Sequence, residues 1–299
     1  LSPTLTINLG LRYDLMPPAT ETRGAMANYI PSLGKVVAAG YGTMTQAEFT
    51  SQIAAVGLAP YVVMASDVGL PASIVKPDKT DISPRFGFAW RVSEKGNSVL
   101  RGGYGIFYGT DSLYRADEFS QVFPYAITQT FSRLSSDPTV LTLSNPFPLS
   151  RVGYSGVTSS YGRTSTSPKT PYLQAWNLAF ERELRSGTAL ELAYSGSKGT
   201  HLARRYDINQ PSLDALALRP IAAFGSIMIT ANGSNSIYHS GQVTVRQRIS
   251  NKFNLRASYT YAKSMDESSN TGGVVQYNFP QAQDAAHLHS EWGRSDFDM

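Results

Sequence analysis

Residues 5–14 read LTINLGLRYD, and apolar and polar side chains alternate at every position. Leu9 and Leu11 would lie on one face of an extended chain, and Asn8 and Arg12 on the other. A period of two does not fit a helix. The stretch therefore predicts a β-strand with one apolar face and one polar face.

The same alternation returns along the rest of the chain. Tyrosine and tryptophan recur near the ends of the alternating stretches, for example at Tyr13, Trp90 and Tyr108. Aromatic girdles at two membrane interfaces are typical of transmembrane β-barrels. The further stretches are residues 85–92, 100–108, 176–184, 190–195, 242–249 and 253–261.

The links between the predicted strands are alternately short and long. Short polar links at one end of the strands predict periplasmic turns, and long links at the other end predict extracellular loops. A compact soluble domain seldom contains several structureless links of such length. The short links are residues 93–98, 185–188 and 250–252, and the long ones are residues 15–82, 109–172, 199–238 and 265–299.

These patterns predict an all-β fold, an antiparallel transmembrane β-barrel of which the chain supplies about seven strands. Seven strands leave two open edges, and unpaired backbone groups are costly in lipid. We therefore expect further strands to close the barrel, with residues 1–299 forming only part of the barrel domain.

Composition excludes some classes of protein. No run approaches the roughly 20 consecutive apolar residues that a membrane helix requires. The net charge is only +4 and the basic residues are scattered, so the sequence does not predict a nucleic-acid surface. Cysteine is absent, which suits an exported protein but does not prove export.

Several stretches together resemble the barrel of Oar-like TonB-dependent receptors. Their order and spacing match that family across most of the chain, apart from the long loops. The stretches are residues 81–90, 99–108, 174–178, 182–184, 194–202, 257–264 and 293–298.

The resemblance implies an outer-membrane barrel of the 22-stranded, plugged type, in which this chain supplies middle strands. It also implies import of a bulky extracellular solute. The implied partners are outer-membrane lipid, the receptor's own plug domain, and a TonB complex that acts through an N-terminal region. On this resemblance, we expect the plug, the TonB box, the regulatory-like N-terminal domain and the closing strand to lie outside residues 1–299.

Charged residues on the polar parity of the strands form the candidate functional set, because they would line the lumen of the barrel. One interpretation is structural: acidic and basic side chains pair across strands or hold the plug. The other is that they steer a solute. The set comprises Arg12, Asp14, Arg85, Arg91, Arg101, Glu181, Glu183, Glu191, Arg246, Arg248 and Arg256.

Other motifs predict little chemistry. On an extended strand, His287, His289 and Glu291 would share one face and could meet a metal, but a solvated loop explains them more simply. The glycines at 102, 103, 105 and 109 are followed by strand residues rather than a helix, which disfavours a phosphate cradle. We expect no catalytic residues, no cofactor and no resident metal.

Three functional classes remain open from the sequence. The first is TonB-energised import, and the second is a passive porin or a surface adhesion or secretion-related barrel. The third is a soluble secreted β-protein, which is disfavoured because its apolar face would need a second covering sheet. A plug and a TonB box in the N-terminal flanking sequence would distinguish the first class from the second.

Overall fold

The structure is a computed structural model. It describes residues 3–55, 57–93, 97–109, 119–120, 122–126, 144, 160–163, 166–211, 218–250, 252–269, 282–284 and 287–298. In this part of the chain, no helix has the length and apolar character needed to cross a membrane.

The seven predicted strands are all present and form one antiparallel sheet, which confirms the all-β expectation. Each strand begins or ends close to the predicted position, where alternation is maintained. The strands are β1 (Leu5–Asp14), β5 (Asp81–Arg91), β6 (Ser98–Tyr108), β8 (Tyr172–Arg185), β9 (Thr188–Asp207), β10 (Ile227–Ser250) and β11 (Phe253–Asp266).

Two short strands complete this sheet. A two-residue strand, β12 (Gly293–Arg294), pairs with β11, so the strand order is β1-β5-β6-β8-β9-β10-β11-β12. Strand β7 (Ser160–Arg163) pairs with the start of β10 in parallel. Eight strands therefore follow one another across the sheet, rather than the seven predicted. The eighth arises because the chain within the predicted loop 265–299 returns to the sheet edge at β12.

The three short links between neighbouring strands lie at one end of the sheet. They are the links 92–97, 186–187 and 251–252, and in the second of them Gly187 adopts a φ of +78°, which favours glycine. The four long links leave from the opposite end. We call these the turn end and the loop end.

The first long link is not structureless, and this part of the prediction is wrong. It folds into a three-stranded sheet of β2 (Ala27–Ile30), β3 (Lys35–Ala38) and β4 (Val62–Met64), with helix α1 (Gln46–Ala55) between the last two strands. Strand β2 and most of β3 are buried at every position, so they carry no alternation that a period-two pattern could detect. Short 3₁₀ turns at Ala59–Tyr61 and Ser66–Val68 flank β4.

The predicted loop 199–238 is also wrong in extent, because β9 and β10 continue through most of it as a paired ribbon. The register shifts where Leu202 pairs with Ser234 and Gly199 pairs with Ser236. At this bulge His201 has a φ of +56°. The extra residue interrupts the alternation, which hid the continuation from the sequence pattern.

The two faces of the large sheet differ sharply. Apolar side chains on one face are exposed, with Leu9 80% and Tyr261 72% accessible. The other exposed apolar residues of this face include Leu11, Tyr13, Phe86, Trp90, Leu178, Leu184, Leu192, Val243, Ile249, Phe253, Leu255 and Tyr259. In a protein surrounded by water such a face would be covered by another layer; we call it the apolar face.

The buried core lies in the long links instead. Residues of the first link, of 119–126 and of 206–231 pack into one cluster that includes Tyr29, Phe49, Phe123, Phe224 and Ile227. We call these three segments the loop unit. Buried side chains in the described part of the chain pack together mainly in the loop unit. The large sheet is instead stabilised by hydrogen bonds between neighbouring strands.

Glycine at position 196 permits close packing on the apolar face. A Cβ atom there would lie 2.5 Å from the Trp176 ring, whereas a Cβ at Gly241 would meet nothing within 4 Å. We expect Gly196→Ala to cost about 1–3 kcal/mol of the free energy of unfolding, because the indole must leave its position.

Urea unfolding of the complete protein in lipid vesicles measures this cost, and Gly241→Ala is the matched control. Equal stability of the two variants would show that Trp176 moves freely.

Candidate functional site

Strand register places all eleven candidate charged residues on the face opposite the apolar face. For example, Glu181 lies directly opposite Glu191, and Arg246 lies directly opposite Arg256. We call this the charged face. It carries seven arginines and four acidic residues among the candidates, an excess of positive charge.

A network of ion pairs crosses the charged face near the turn end. Arg246 on β10 lies between the two opposed carboxylates, with one guanidinium nitrogen 2.9 Å from Glu191 and another 3.5 Å from Glu181. Arg101 on β6 approaches Glu181 from the other side at 3.6 Å. Two like charges directly opposite each other are destabilising. Arg246 therefore offsets the repulsion between Glu181 and Glu191 that the strand register creates.

Other candidates make more local contacts. Arg12 pairs with Asp14, two residues along the same strand, at 2.7 Å. The Arg85 guanidinium lies 4.7 Å from the centre of the Phe107 ring, in a cation–π contact. These contacts lie towards β1, away from the network around Glu181.

The charged face holds a cavity of about 510 Å³ near the turn end. Its lining includes Arg101, Arg246 and Arg256 together with Glu181 and Glu183. The remaining lining residues are Asn97, Val99, Gly187, Thr188, Ala189, Gln247, Arg248, Asn254 and Leu255. A concave surface that carries arginine and glutamate side chains can hold an anionic or zwitterionic group or a polypeptide segment with acidic side chains.

Sequence reasoning missed a polar cluster at the loop end. Asp78 contacts the Lys169 ammonium at 3.3 Å, and Asp81, which is fully buried, accepts a 2.8 Å hydrogen bond from the Thr170 hydroxyl. Partial burial raises the pKa of Asp78, but hydrogen bonds from Thr80, Thr170 and Lys169 outweigh it and hold that pKa below its usual value. The cluster ties the segment before β8 to the segment before β5.

The loop unit is joined by hydrogen bonds between distant segments. The Tyr125 hydroxyl donates to the carbonyl oxygens of Gly24 at 3.0 Å and Gly40 at 2.5 Å. Burial raises the pKa of this phenol to about 12. The Gln52 amide donates to the Pro124 carbonyl, so helix α1 is tied to the same segment.

A buried asparagine organises the third link. The Asn209 side chain is fully buried, and its amide nitrogen donates to the carbonyl oxygens of Ile221, Phe224 and Gly225. Its amide oxygen accepts from the Ile221 N–H. These hydrogen bonds hold Asn209 and residues 221–225 together between β9 and β10. Phe224 thereby packs into the core of the loop unit.

The extended strand that would put His287, His289 and Glu291 on one face is not formed, because residues 288–291 form a 3₁₀ turn. The imidazole of His287 contacts Asp284 and that of His289 contacts Glu267. The third residue, Glu291, accepts the Gln283 N–H. Across the described residues, no group of three or more histidine or acidic side chains is arranged to hold a metal.

Comparison with known proteins gives a family match over the whole chain. The family described as "Outer membrane beta barrel domain" matches residues 1–299. A search of curated proteins gave no match.

Two solved structures resemble the chain at low similarity. The outer membrane transporter YddB from Escherichia coli matches with a TM-score of 0.42 and 15% identity, over 63% of this chain and 21% of that one. The FrpB iron transporter from Neisseria meningitidis (F3-3 variant) matches with a TM-score of 0.35 and 11% identity, over 62% of this chain and 20% of that one. The chain spans about a fifth of the length of these structures.

The charge network gives a test of its own. We expect Arg246→Met to lower the free energy of unfolding by about 1 kcal/mol, because Glu181 and Glu191 then face each other with no cation between them. Adding Glu191→Gln should restore most of the loss by removing the repulsion. Urea unfolding of the complete protein in vesicles reports both changes, and an unaltered single variant would contradict the role assigned to Arg246.

Tyr125 gives a prediction about pH. The folded-state pKa is raised to about 12, above the value of about 10 in an unfolded chain. Its contribution to stability is therefore complete below pH 10 and is lost as the pH rises towards 12.

We expect Tyr125→Phe to destabilise the loop unit by about 1 kcal/mol at neutral pH, through loss of its hydrogen bonds. The variant should also lose less stability than the parent between about pH 10 and pH 12. Thermal unfolding followed by near-ultraviolet circular dichroism measures both; parallel pH curves for parent and variant would refute the burial of this phenol.

Proposed function

The chain belongs to the outer membrane β-barrel domain family and is a protein of the outer membrane, and on this premise we propose that it is part of a receptor that imports a bulky solute. The observation that carries the proposal is the contrast between the sheet's two faces. The apolar face is exposed and suits contact with lipid, while the charged face has ion pairs and a cavity. We infer that the charged face lines the lumen of the barrel.

The proposed barrel is larger than the described sheet. The strand order runs from β1 to β12, and within the described residues these two strands do not pair with each other. Unpaired edge groups in hydrocarbon cost several kcal/mol each, so further strands must complete the sheet. A barrel of about 22 strands, as the Oar-like resemblance implies, would leave a lumen wide enough for a plug.

The charged face suits contact with a plug domain. Its candidates include seven arginines against four acidic residues, and its cavity near the turn end has Arg101, Arg246 and Arg256 in its wall. A plug with acidic side chains would balance this charge. We propose that the plug, acted on by the TonB complex through an N-terminal region, moves when the solute is taken up.

The loop unit supports the capture step. Three links from the loop end share one apolar core and are tied by Tyr125 and Asn209. An ordered unit of this kind offers a pre-formed surface, which reduces the entropy lost when a ligand binds. We propose that the unit is extracellular and makes the first contact with the solute.

A conductance measurement distinguishes import through a plugged barrel from passive diffusion. We expect the complete protein in a planar bilayer to show no steady conductance, because the plug fills the lumen. Urea at concentrations that release the plug but spare the barrel should open reversible channels. Steady open channels without urea would overturn the proposal and favour a passive porin.

The energy source needs a second measurement. We expect the complete protein to be retained on immobilised TonB periplasmic domain, and the retention to be lost when the N-terminal segment ahead of the plug is deleted. A closed channel without such retention would agree with a plugged barrel but would contradict TonB-driven import. Retention without a closed channel would contradict the plug.

Sidedness can be tested with single cysteines because the chain has none of its own. Asp67 in the loop unit and Ser186 in a tight turn are both exposed. We expect an impermeant maleimide to label Asp67→Cys on intact cells and to label Ser186→Cys only after the outer membrane is permeabilised. Labelling of Ser186→Cys on intact cells would invert the proposed orientation.

A further inference from the structure

Near the loop end, basic and polar side chains replace apolar ones on the apolar face, beginning along one row of cross-strand neighbours. Strand register sets Trp176 beside Gly196, Gly196 beside His239, and His239 beside Lys263. In the next row towards the loop end, Gln174 lies beside Lys198. Nearer the turn end, the corresponding rows of β8, β9 and β10 are formed by Leu178, Tyr194 and Gly241, and then by Phe180, Leu192 and Val243.

The height of the apolar face places this change at a membrane interface. Leu184 near the turn end and Trp176 are the two ends of a nine-residue stretch of β8, and about 9–11 residues of a tilted strand cross the hydrocarbon core. Tryptophan and tyrosine side chains prefer the boundary between hydrocarbon and headgroups. Trp176 and Tyr194 therefore mark the boundary on the loop-end side.

Hydrogen bonds fix an imidazole at this boundary. The Trp176 indole N–H donates to the Tyr194 hydroxyl at 3.3 Å, and that hydroxyl lies 2.7 Å from Nδ1 of His239. The Tyr194 and His239 rings are stacked, with centroids 6.1 Å apart. With Nδ1 engaged, the other ring nitrogen of His239 is left for a ligand outside the sheet.

Basic side chains surround this imidazole on the same face. Lys198, His239 and Lys263 are all exposed, and these two rows of β6, β8, β9, β10 and β11 contain no acidic residue. Lys263 acts electrostatically on Asp298, and that carboxylate is held by Arg294 and by the Ser264 N–H. The basic side chains therefore retain donors for a further anion.

We propose that Lys198, His239 and Lys263, set above the Trp176–Tyr194 pair, form a site for the phosphate-bearing headgroup of an outer-membrane lipid. The two lysines supply charge and mobile donors, His239 supplies an oriented donor, and the aromatic rings contact the upper part of the acyl chains. We call these three basic residues the headgroup site.

A lipid fits this surface better than a protein segment does. The headgroup site continues without a break into the exposed apolar face, so an occupant needs a phosphate above and hydrocarbon below. Basic residues at a membrane surface gain about 1 kcal/mol each from anionic headgroups. The inference rests on the outer-membrane location and on the proposed extracellular position of the loop end. It does not rest on the proposed import, so import and lipid binding can fail separately.

Lipid binding to the complete, delipidated protein in detergent tests the proposal by native mass spectrometry. The probes are lipid A with two phosphates and the same lipid after dephosphorylation. We expect Lys198→Gln/Lys263→Gln to weaken binding of the phosphorylated lipid about fivefold for each lysine removed. His239→Gln should weaken it without altering heat-modifiable mobility on gels, which reports an intact barrel.

The control variant Arg23→Gln/Lys76→Gln removes the same charge from exposed positions of the first long link and should bind like the parent. Equal binding by the test and control variants would overturn the proposal, as would equal binding of the dephosphorylated lipid. Displacement of the lipid by inorganic phosphate alone would assign the site to a free anion instead. A co-purifying protein lost from the test variant, with lipid binding unchanged, would assign it to a protein partner.

Discussion

Backbone hydrogen bonding between neighbouring strands is the interaction on which the rest of this structure depends. In hydrocarbon no water can replace a lost partner, so every N–H and C=O of a spanning segment must be paired within the protein. An antiparallel sheet meets this requirement and at the same time sends alternate side chains to opposite faces. The apolar face and the charged face both follow from that single arrangement. Even the conflict between Glu181 and Glu191 follows from it, because the register that pairs the backbone also sets those carboxylates opposite each other.

The spanning strands could be predicted because alternation is a local property of the chain. Residues 5–14 alone determine which of their side chains share a face, and the structure retains that assignment. Partners across strands were less accessible to sequence reasoning. The position of Arg246 between two glutamates depends on the two-residue turn at 186–187 and on the register of β10, neither of which alternation specifies.

The loop unit escaped prediction for a different physical reason. Strand β2 is buried on both sides, and its residues Ala27–Ile30 show no polar face. Its packing partners, such as Phe123 and Phe224, come from links far away in sequence. The His201 bulge likewise breaks the period of two, so a continuous strand resembled the end of one strand and the start of a loop. Alternation reveals a strand that has one solvent-exposed face. Strand β2 has no such face, and at the His201 bulge the faces of the strand exchange.

The ribbon formed by β9 and β10 has a mechanical consequence. Both strands are continuous from the turn end to the segment around Asn209, with a shift of register near His201, so one ribbon connects the turn end of the sheet to the loop unit. Antiparallel hydrogen bonds lie perpendicular to the strands. A pull on the loop unit along the strand axis therefore strains the whole ladder in shear, with many bonds resisting together. A sideways pull on the bend would instead open the pairs one after another, so the resistance of this connection to force depends on direction.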